Sequence, residues 1–506
     1  MKRFVSMLAA MIMVLSLFSG VALAEDRITI TIMRDYIAPP EADGEILKYM
    51  CDKYNVDFQI IYIERDKWDE SISTKFAKGE IGDIIDVKGL DKLYTYVDQG
   101  LLAELSPEFL KENAPFLYND YIKEDEKHVL RYTTINGKNY GLPNISANSF
   151  HKVIMWRGDW LKTLGFDKAP ETLDEMEKAV YAIANNDPDG NGVKDTYGLS
   201  KTGMEMVYGA FGYLPELWQE RDGKLVFGAV QPEVKEALTT LAKWFKDGVI
   251  DPEYVTGENQ GGYYAISHSF NNNRIGLTSL GDYYHWKPVF YPGDSKSETY
   301  LELQKANPAA LESLMYGTPV KGPQGKAGMK GASAINALST VGFGVQLESD
   351  PAKFAKILQI YNEMSASYEN YLESIFGIKG THWDFDATTG FPGLINENDS
   401  KSVARLGIVA GFECSEYTYK RAQPRIDWAY EKKLDQDAIS DQLLVPLASA
   451  GEYQDELNKL RDETFTKIIR GDLPVDAFDT FVTEWFANGG QQLTDEANAW
   501  YATIEK

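Results

Sequence analysis

Asp187, Asp189, Asn191 and Asp195 fall at alternate positions of one short stretch, NNDPDGNGVKDTYGL (185–199), and Gly192 takes the sixth place counted from Asp187. Alternate residues of a tight loop turn their side chains inward together, and oxygen ligands at that spacing suit a hard cation such as Ca²⁺. Val193, at the seventh place, offers its backbone carbonyl. The stretch departs from a full EF-hand, because the twelfth place is Gly198 and no exit helix of that pattern follows. The expectation is a structural Ca²⁺ site of Asp187, Asp189, Asn191, Val193 and Asp195; the alternative is a metal-free loop of Asx turns.

Little else in the chain reads as reactive chemistry. There are five His, with no HExxH, GxSxG or Cys–His arrangement. Cys51 and Cys414 are the whole cysteine complement, too few for a disulfide scaffold; they either pair across the fold or stay as buried thiols. Carboxylates are abundant, but no local context singles out the two that a glycosidase needs. The expectation is a protein that is not an enzyme.

Lys2 and Arg3, the apolar run from Phe4 to Phe18, and Ala22-Leu23-Ala24 have the layout of a secretory signal peptide cleaved after Ala24. No cysteine stands near that site, so no lipid-anchor cysteine is expected. Loss of Lys2 and Arg3 takes the net charge from −25 to −27. So acidic a surface repels nucleic acid and anionic lipid, and suits a dispersed protein outside the cytoplasmic membrane. Aromatic residues make up 12% of the chain, with 10 Trp and 30 Tyr, enough to pack a core and still offer flat faces to a ligand.

These residues need elements to position them. RITITIM (27–33), VDFQIIYI (56–63) and GDIIDV (82–87) read as strands, separated by helical patterns near 45–55 and 68–78. Strands alternating with helices imply an α/β lobe, with ligands at the carboxyl ends of the strands, so the loops after Met33 and Val87 are candidate linings. Thr172 and Glu175 form a capping box ahead of Leu173, Met176, Val180 and Ile183 at helical spacing. Pro232 opens a second helix and Gly248 closes it, and Val475 to Phe486 carry a third apolar stripe. The Gly- and Lys-rich stretch 318–333 matches neither a P-loop nor a Rossmann fingerprint and reads as an exposed loop.

Taken together, GDIIDV, INGKNYGLPN (135–144), MWRGDWLKTLGF (155–166), the DPDGNG loop, KWFKDGVIDPEY (243–254), FGIKGTHW (376–383) and the tail 460–501 resemble the family 1 extracellular solute-binding proteins of ABC importers. The likeness is to the long LipO-like and alginate-oligosaccharide-binding members, and runs from Thr29 to Tyr501. It implies a two-lobe α/β fold of the periplasmic-binding-protein type II, with a hinge and an interlobe ligand cleft. The division expected is 1–24 signal peptide, 25–150 with about 330–400 as the N-terminal lobe, and 151–329 with about 401–506 as the C-terminal lobe. The family's calcium loop matches at the five residues above, but Thr196 stands where members often carry Glu.

The resemblance also implies a sugar or oligosaccharide ligand, delivered by a monomeric protein to ABC permease subunits in the membrane. A sugar ring stacks an apolar face on Trp or Tyr and gives its hydroxyls to polar side chains. Trp286 and Trp383 resemble family positions that stack on sugar rings. Tyr140, Trp156, Arg157, Asp159 and His382 are further candidates from the matching segments. For Arg157 and Asp159 a mutual salt bridge is the alternative. A secreted carbohydrate-active enzyme and a calcium-stabilised adhesin are the other functional classes. The first would need an acid pair in the cleft, the second repeats that the chain lacks.

Overall fold

The computed structural model describes residues 27–64, 67–123, 126–145, 150–258, 265–331, 335–409 and 416–503. The signal segment with Ala24, and Cys414, lie outside them. Cys51 is a free thiol.

Two sheets form two lobes. In the first, β1 (Ile28–Asp35), β2 (Val56–Ile63), β3 (Ile84–Val87), β4 (Gly141–Ile145) and β9 (Ile335–Phe343) lie in the order β2-β1-β3-β9-β4. β2 and β3 flank β1 in parallel, and β9 runs antiparallel to both β3 and β4. Ile30 and Ile32 of β1 point into one core and Met33 into the other, the period-2 alternation that the sequence shows. In the second sheet, β5 (Ile154–Trp156), β6 (Tyr197–Leu199), β7 (Ile275–Thr278) and β8 (Met315–Gly317) lie in the order β8-β5-β7-β6.

Helices complete both lobes. α1 (Glu45–Tyr54) and α4 (Pro351–Ser365) bury Ile46, Met50, Phe354 and Ile357 against the first sheet. α2 (Leu173–Asn185) and α3 (Pro232–Lys246) bury the stripes read from the sequence against the second. The capping box forms as expected: Thr172 Oγ1 accepts the Glu175 N–H at 3.2 Å, and Glu175 Oε2 accepts the Thr172 N–H at 3.2 Å. α7 (Ala450–Arg470) and α8 (Ala477–Trp485) seal the second core with Ile468, Phe478, Phe481 and Trp485. The stretch 318–333 is not wholly loop, because Met329–Lys330 pair with Ala438–Ile439.

The described chain passes between lobes three times: between β4 and Phe150, between Gly331 and β9, and between Val409 and α6 (Glu416–Glu431). Val403 and Val409 still pack in the first core, whereas Ala422, Ile426 and Trp428 pack in the second lobe. α6 therefore begins at the first lobe and ends inside the second.

Candidate functional site

The lobes meet along a seam of aromatic rings. On the second-lobe side, the segment after the short helix Tyr283–Trp286 carries Tyr291. On the other, β10 (Trp383–Phe385) and β11 (Pro392–Leu394) form a hairpin whose turn carries Phe391. The Tyr291 and Phe391 rings stack at 5.4 Å and 21°, and the Tyr291 hydroxyl donates to the Pro392 carbonyl at 3.1 Å. The Leu394 N–H donates to the Gly293 carbonyl at 3.1 Å, so the seam is held by backbone as well as rings. Burial pushes the Tyr291 phenol up to about 12, with the Asp294 charge adding to it and the Arg421 and Arg425 charges opposing.

α6 brings those two cations. Its first turns face the first lobe: Tyr417 lies 5.5 Å from Tyr368 and 6.0 Å from Tyr371 of α5 (Tyr368–Phe376), and Tyr371 donates to Thr418 Oγ1 at 3.1 Å. Lys420 lies over the Tyr368 ring at 4.4 Å and Arg421 over Phe376 at 5.9 Å. One turn on, Arg425 lies over Tyr283 at 5.9 Å, on the second-lobe side. Pro424 sits between the arginines, inside the helix, and has no N–H to give the Lys420 carbonyl. Phe150 packs against Tyr283 and Tyr430, both at 5.1 Å, and continues the aromatic surface, of which Tyr284 and Tyr430 are exposed.

The carboxyl ends of β1 and β3 carry a second polar cluster, where the sequence directs attention. Lys88, just after β3, holds Asp35 at 2.7 Å and lies 4.5 Å over the Trp68 ring. Tyr36 is buried beside them, its phenol pushed up to about 12 by burial. Tyr140 packs at the rim of the same core.

The candidates from the sequence separate into groups. Trp286 and Trp383 have no exposed surface. The Trp286 indole N–H donates to the Leu280 carbonyl at 2.7 Å, and that of Trp383 to the Gly377 carbonyl at 2.8 Å. Both lie directly behind seam residues: Trp286 closes the helix turn that carries Tyr283, and Trp383 meets Phe376 and Phe385. Trp156 ends β5 and lies in the second-lobe core with no exposed surface. Arg157 and Asp159 take the alternative, a mutual ion pair; Arg157 is 3% exposed, bonds Asn273 as well, and covers the Trp160 ring at 4.1 Å. His382 braces a turn rather than facing the seam. Its Nδ1 accepts the Ile378 N–H at 3.1 Å, its Nε2 lies 3.7 Å from Glu45, and burial lowers its pKa.

Tyr291, Phe391, Arg421, Arg425, Trp68 and Lys88 were not anticipated. A signal existed for the arginines, since EYTYKRAQPRIDWAY (416–430) sets two of them four apart among aromatics, and residues so spaced share a helix face.

The loop after α2 closes as its spacing predicts. Asp187 adopts φ +43° and Gly192 φ +77°, and the Asp187 carboxylate accepts the N–H of Asn191 at 3.2 Å and of Gly192 at 2.9 Å. The Asn191 amide nitrogen lies 3.1 Å from Asp189 and 3.2 Å from Asp195, so three side chains converge on one point. Among the described residues no group of three His, Cys, Asp or Glu is gathered tightly enough to hold a metal. The donor set still fits calcium: an amide turned over presents its oxygen to the point where the Asp189 and Asp195 carboxylates already meet. Burial and then the Asp187 contact raise the Asp189 carboxyl, as expected of crowded acids. Thr196 cannot replace the family's Glu; it is buried, and its hydroxyl donates to the Ile183 carbonyl at 3.0 Å.

No helix among the described residues is long and apolar enough to cross a membrane. The chain is 25% identical over 399 residues to the polygalacturonan/rhamnogalacturonan-binding protein YtcQ of Bacillus subtilis, covering 74% of each chain. It is 22% identical over 496 residues to lipoprotein LipO of the same organism, covering 94% of this chain and 92% of that one. A solved structure of the Streptococcus pneumoniae ABC-transporter substrate-binding protein FusA, an EF-hand mutant in complex with fructo-nystose, superposes with a TM-score of 0.64 at 17% identity, over 94% of this chain and 99% of that one. The fold is thus the two-lobe architecture expected. A family profile described as bacterial extracellular solute-binding protein matches residues 47–289. With two α/β lobes and an interlobe seam beside that match, the chain is similar to the bacterial extracellular solute-binding proteins.

Proposed function

We propose that this protein is the substrate-binding component of an ATP-driven carbohydrate importer, and that it captures an oligosaccharide between its lobes and delivers it to membrane permease subunits. The observation that carries the reading is the seam: Tyr291 on Phe391, with α6 passing from one lobe into the other. Clefts between lobes are favoured ligand sites, and aromatic walls suit the apolar face of a sugar ring. The carbohydrate ligands in the names of YtcQ and FusA support the same chemistry. Binding closes the lobes, and the closed form offers the permease a surface the open form lacks. No bond is made or broken.

The N-terminal lobe takes 25–150 with the segment from about 330, and the C-terminal lobe takes 151–329 with the C-terminal helices. The protein is exported, cleaved after Ala24, and works as a monomer. Asp187, Asp189, Asn191, Asp195 and the Val193 carbonyl hold a structural Ca²⁺ that fixes the loop between α2 and β6. Trp286 and Trp383 act as the backing of the sugar site, with Tyr283, Phe385 and the seam rings in front of them. Tyr140 lies on the first-lobe wall.

A thermal-shift screen against neutral and acidic oligosaccharides tests this. A true ligand at 100 times its Kd adds roughly 2.7 kcal/mol to stability and raises Tm. A broad saccharide panel that leaves the transition unmoved, or a purified sample that consumes its saccharide, would overturn the reading.

A further inference from the structure

Lys287 keeps its ammonium inside the protein, on a side chain only 3% exposed. It donates to Asp294 Oδ2 at 2.8 Å and to the Ser295 carbonyl at 2.5 Å, so the segment after the Tyr283–Trp286 helix winds around one buried charge. The same Asp294 oxygen accepts the Phe290 N–H at 3.1 Å, and the Asp294 N–H donates to the Tyr291 carbonyl at 3.1 Å. Tyr291 is thus clamped on both sides. The outer rim of this loop meets the other lobe. Gly293 gives its carbonyl to the Leu394 N–H, and its backbone touches that of Gly393 in the β10–β11 hairpin. A Cβ on Gly293 would fall 2.6 Å from the Leu394 oxygen, and one on Gly393 would fall 2.8 Å from the Gly293 oxygen. The approach is backbone to backbone and has no room for a side chain at either position.

A buried ion pair is a weak source of stability, because desolvation offsets the attraction. Here its effect is geometric: the Asp294 carboxylate, the Ser295 carbonyl and the Phe290 N–H are all oriented by it. We propose that Lys287 is a positioning residue for lobe closure: its pair with Asp294 holds the loop 287–295 in the shape that lets Gly293 meet Gly393, and this latch draws the lobes together whether or not a ligand lies between them. Every latch contact is protein on protein, so it favours closure without selecting among ligands. The proposal rests on the closing-lobe reading above, and not on the ligand's being a saccharide.

The test is hydrogen exchange on the full mature chain without ligand, with small-angle scattering beside it. The Leu394 amide reports the latch, whereas the Asp386 and Ile395 amides, bonded to the Phe391 and His382 carbonyls, report the hairpin itself. Lys287→Met combined with Asp294→Asn removes both charges and keeps an oxygen for the Phe290 N–H. In that variant the Leu394 amide should exchange about tenfold faster and the radius of gyration should rise, with Asp386 and Ile395 as protected as before. Gly393→Ala probes the first-lobe side: Gly393 lies outside the left-handed region, and the nearest atoms to the new Cβ are those of Gly293. It should give the same two changes, and combining the variants should add little. A lower Tm with unchanged Leu394 exchange and scattering in the Lys287→Met, Asp294→Asn protein overturns the proposal and leaves the pair a stabiliser of its own loop. An unchanged Gly393→Ala protein overturns it too. If both variants open the latch while no saccharide binds the parent chain, the saccharide reading fails and the latch stands.

Discussion

Tyr291 of the second lobe stacks on Phe391 of the first at 5.4 Å and donates its hydroxyl to the neighbouring Pro392 carbonyl. An aromatic pair contributes about 0.5–1.5 kcal/mol beyond its buried area. That is enough to shift a balance between closed and open lobes several-fold. Tyr291→Ala should enlarge the radius of gyration of the ligand-free protein in small-angle scattering and weaken saccharide binding. Phe391→Ala should do the same, and the double variant should go little further than either single one. Unchanged scattering in both would mean the seam does not govern closure.

Trp286 and Trp383 separate a packing role from a binding role. Both are wholly buried and have bonded indole N–H groups. Replacing either by Ala is expected to cost about 3–5 kcal/mol of stability. Trp383→Phe should be milder, and should alter Tm more than affinity. A Trp286→Phe variant with normal Tm but affinity reduced tenfold or more would place that ring in direct contact with ligand, as the family resemblance implies.

The fold was legible where local rules decide it. The strands 28–35 and 56–63, the Thr172–Glu175 capping box and the Pro232 start all follow from alternation and end chemistry, which neighbours in sequence determine. The two-lobe architecture was legible only through resemblance, because β9 joins the first sheet from nearly 200 residues beyond β4 and no local pattern announces that return. The site was less legible. Trp286 and Trp383 were singled out by resemblance to ring-stacking positions, but a matching position does not say which side of a wall a ring occupies. Tyr291 and Phe391 are 100 residues apart and become a pair only on folding. For Arg157 the sequence left sugar contact and an ion pair with Asp159, two residues away, both open, and the folded chain makes the ion pair.

The loop 187–195 makes a prediction about metal. With calcium bound, the crowding of Asp187, Asp189 and Asp195 becomes attraction to the ion. Chelation should therefore lower Tm, and added Ca²⁺ should restore it. Asp187→Ala should lower Tm to the chelated value and abolish any further response to chelator. Because Thr196 is bonded to Ile183 rather than available as a ligand, affinity should be weaker than in members with Glu at that place. Metal analysis of the purified protein gives the independent check; an intact protein free of calcium and indifferent to chelator would exclude a structural ion.

Asp441 gives a pH-dependent prediction of opposite sign to most carboxylates. Burial pushes its carboxyl up to about 6, although it accepts the N–H of Leu443 at 3.0 Å and of Trp218 at 3.3 Å. An unfolded Asp titrates near 3.9. Between about 3.9 and 6 the folded chain therefore holds a proton that the unfolded chain has released, and stability falls as pH rises through that window. Above it the cost of a buried charge is present in full. Asp441→Asn keeps an oxygen for both N–H donors and removes the charge. It should raise Tm at pH 7.5, by roughly 2–4 °C per kcal/mol recovered, and leave Tm unchanged near pH 4, where the wild-type carboxyl is already protonated. An equal shift at both pH values would trace the effect to packing and not to the ionised carboxylate.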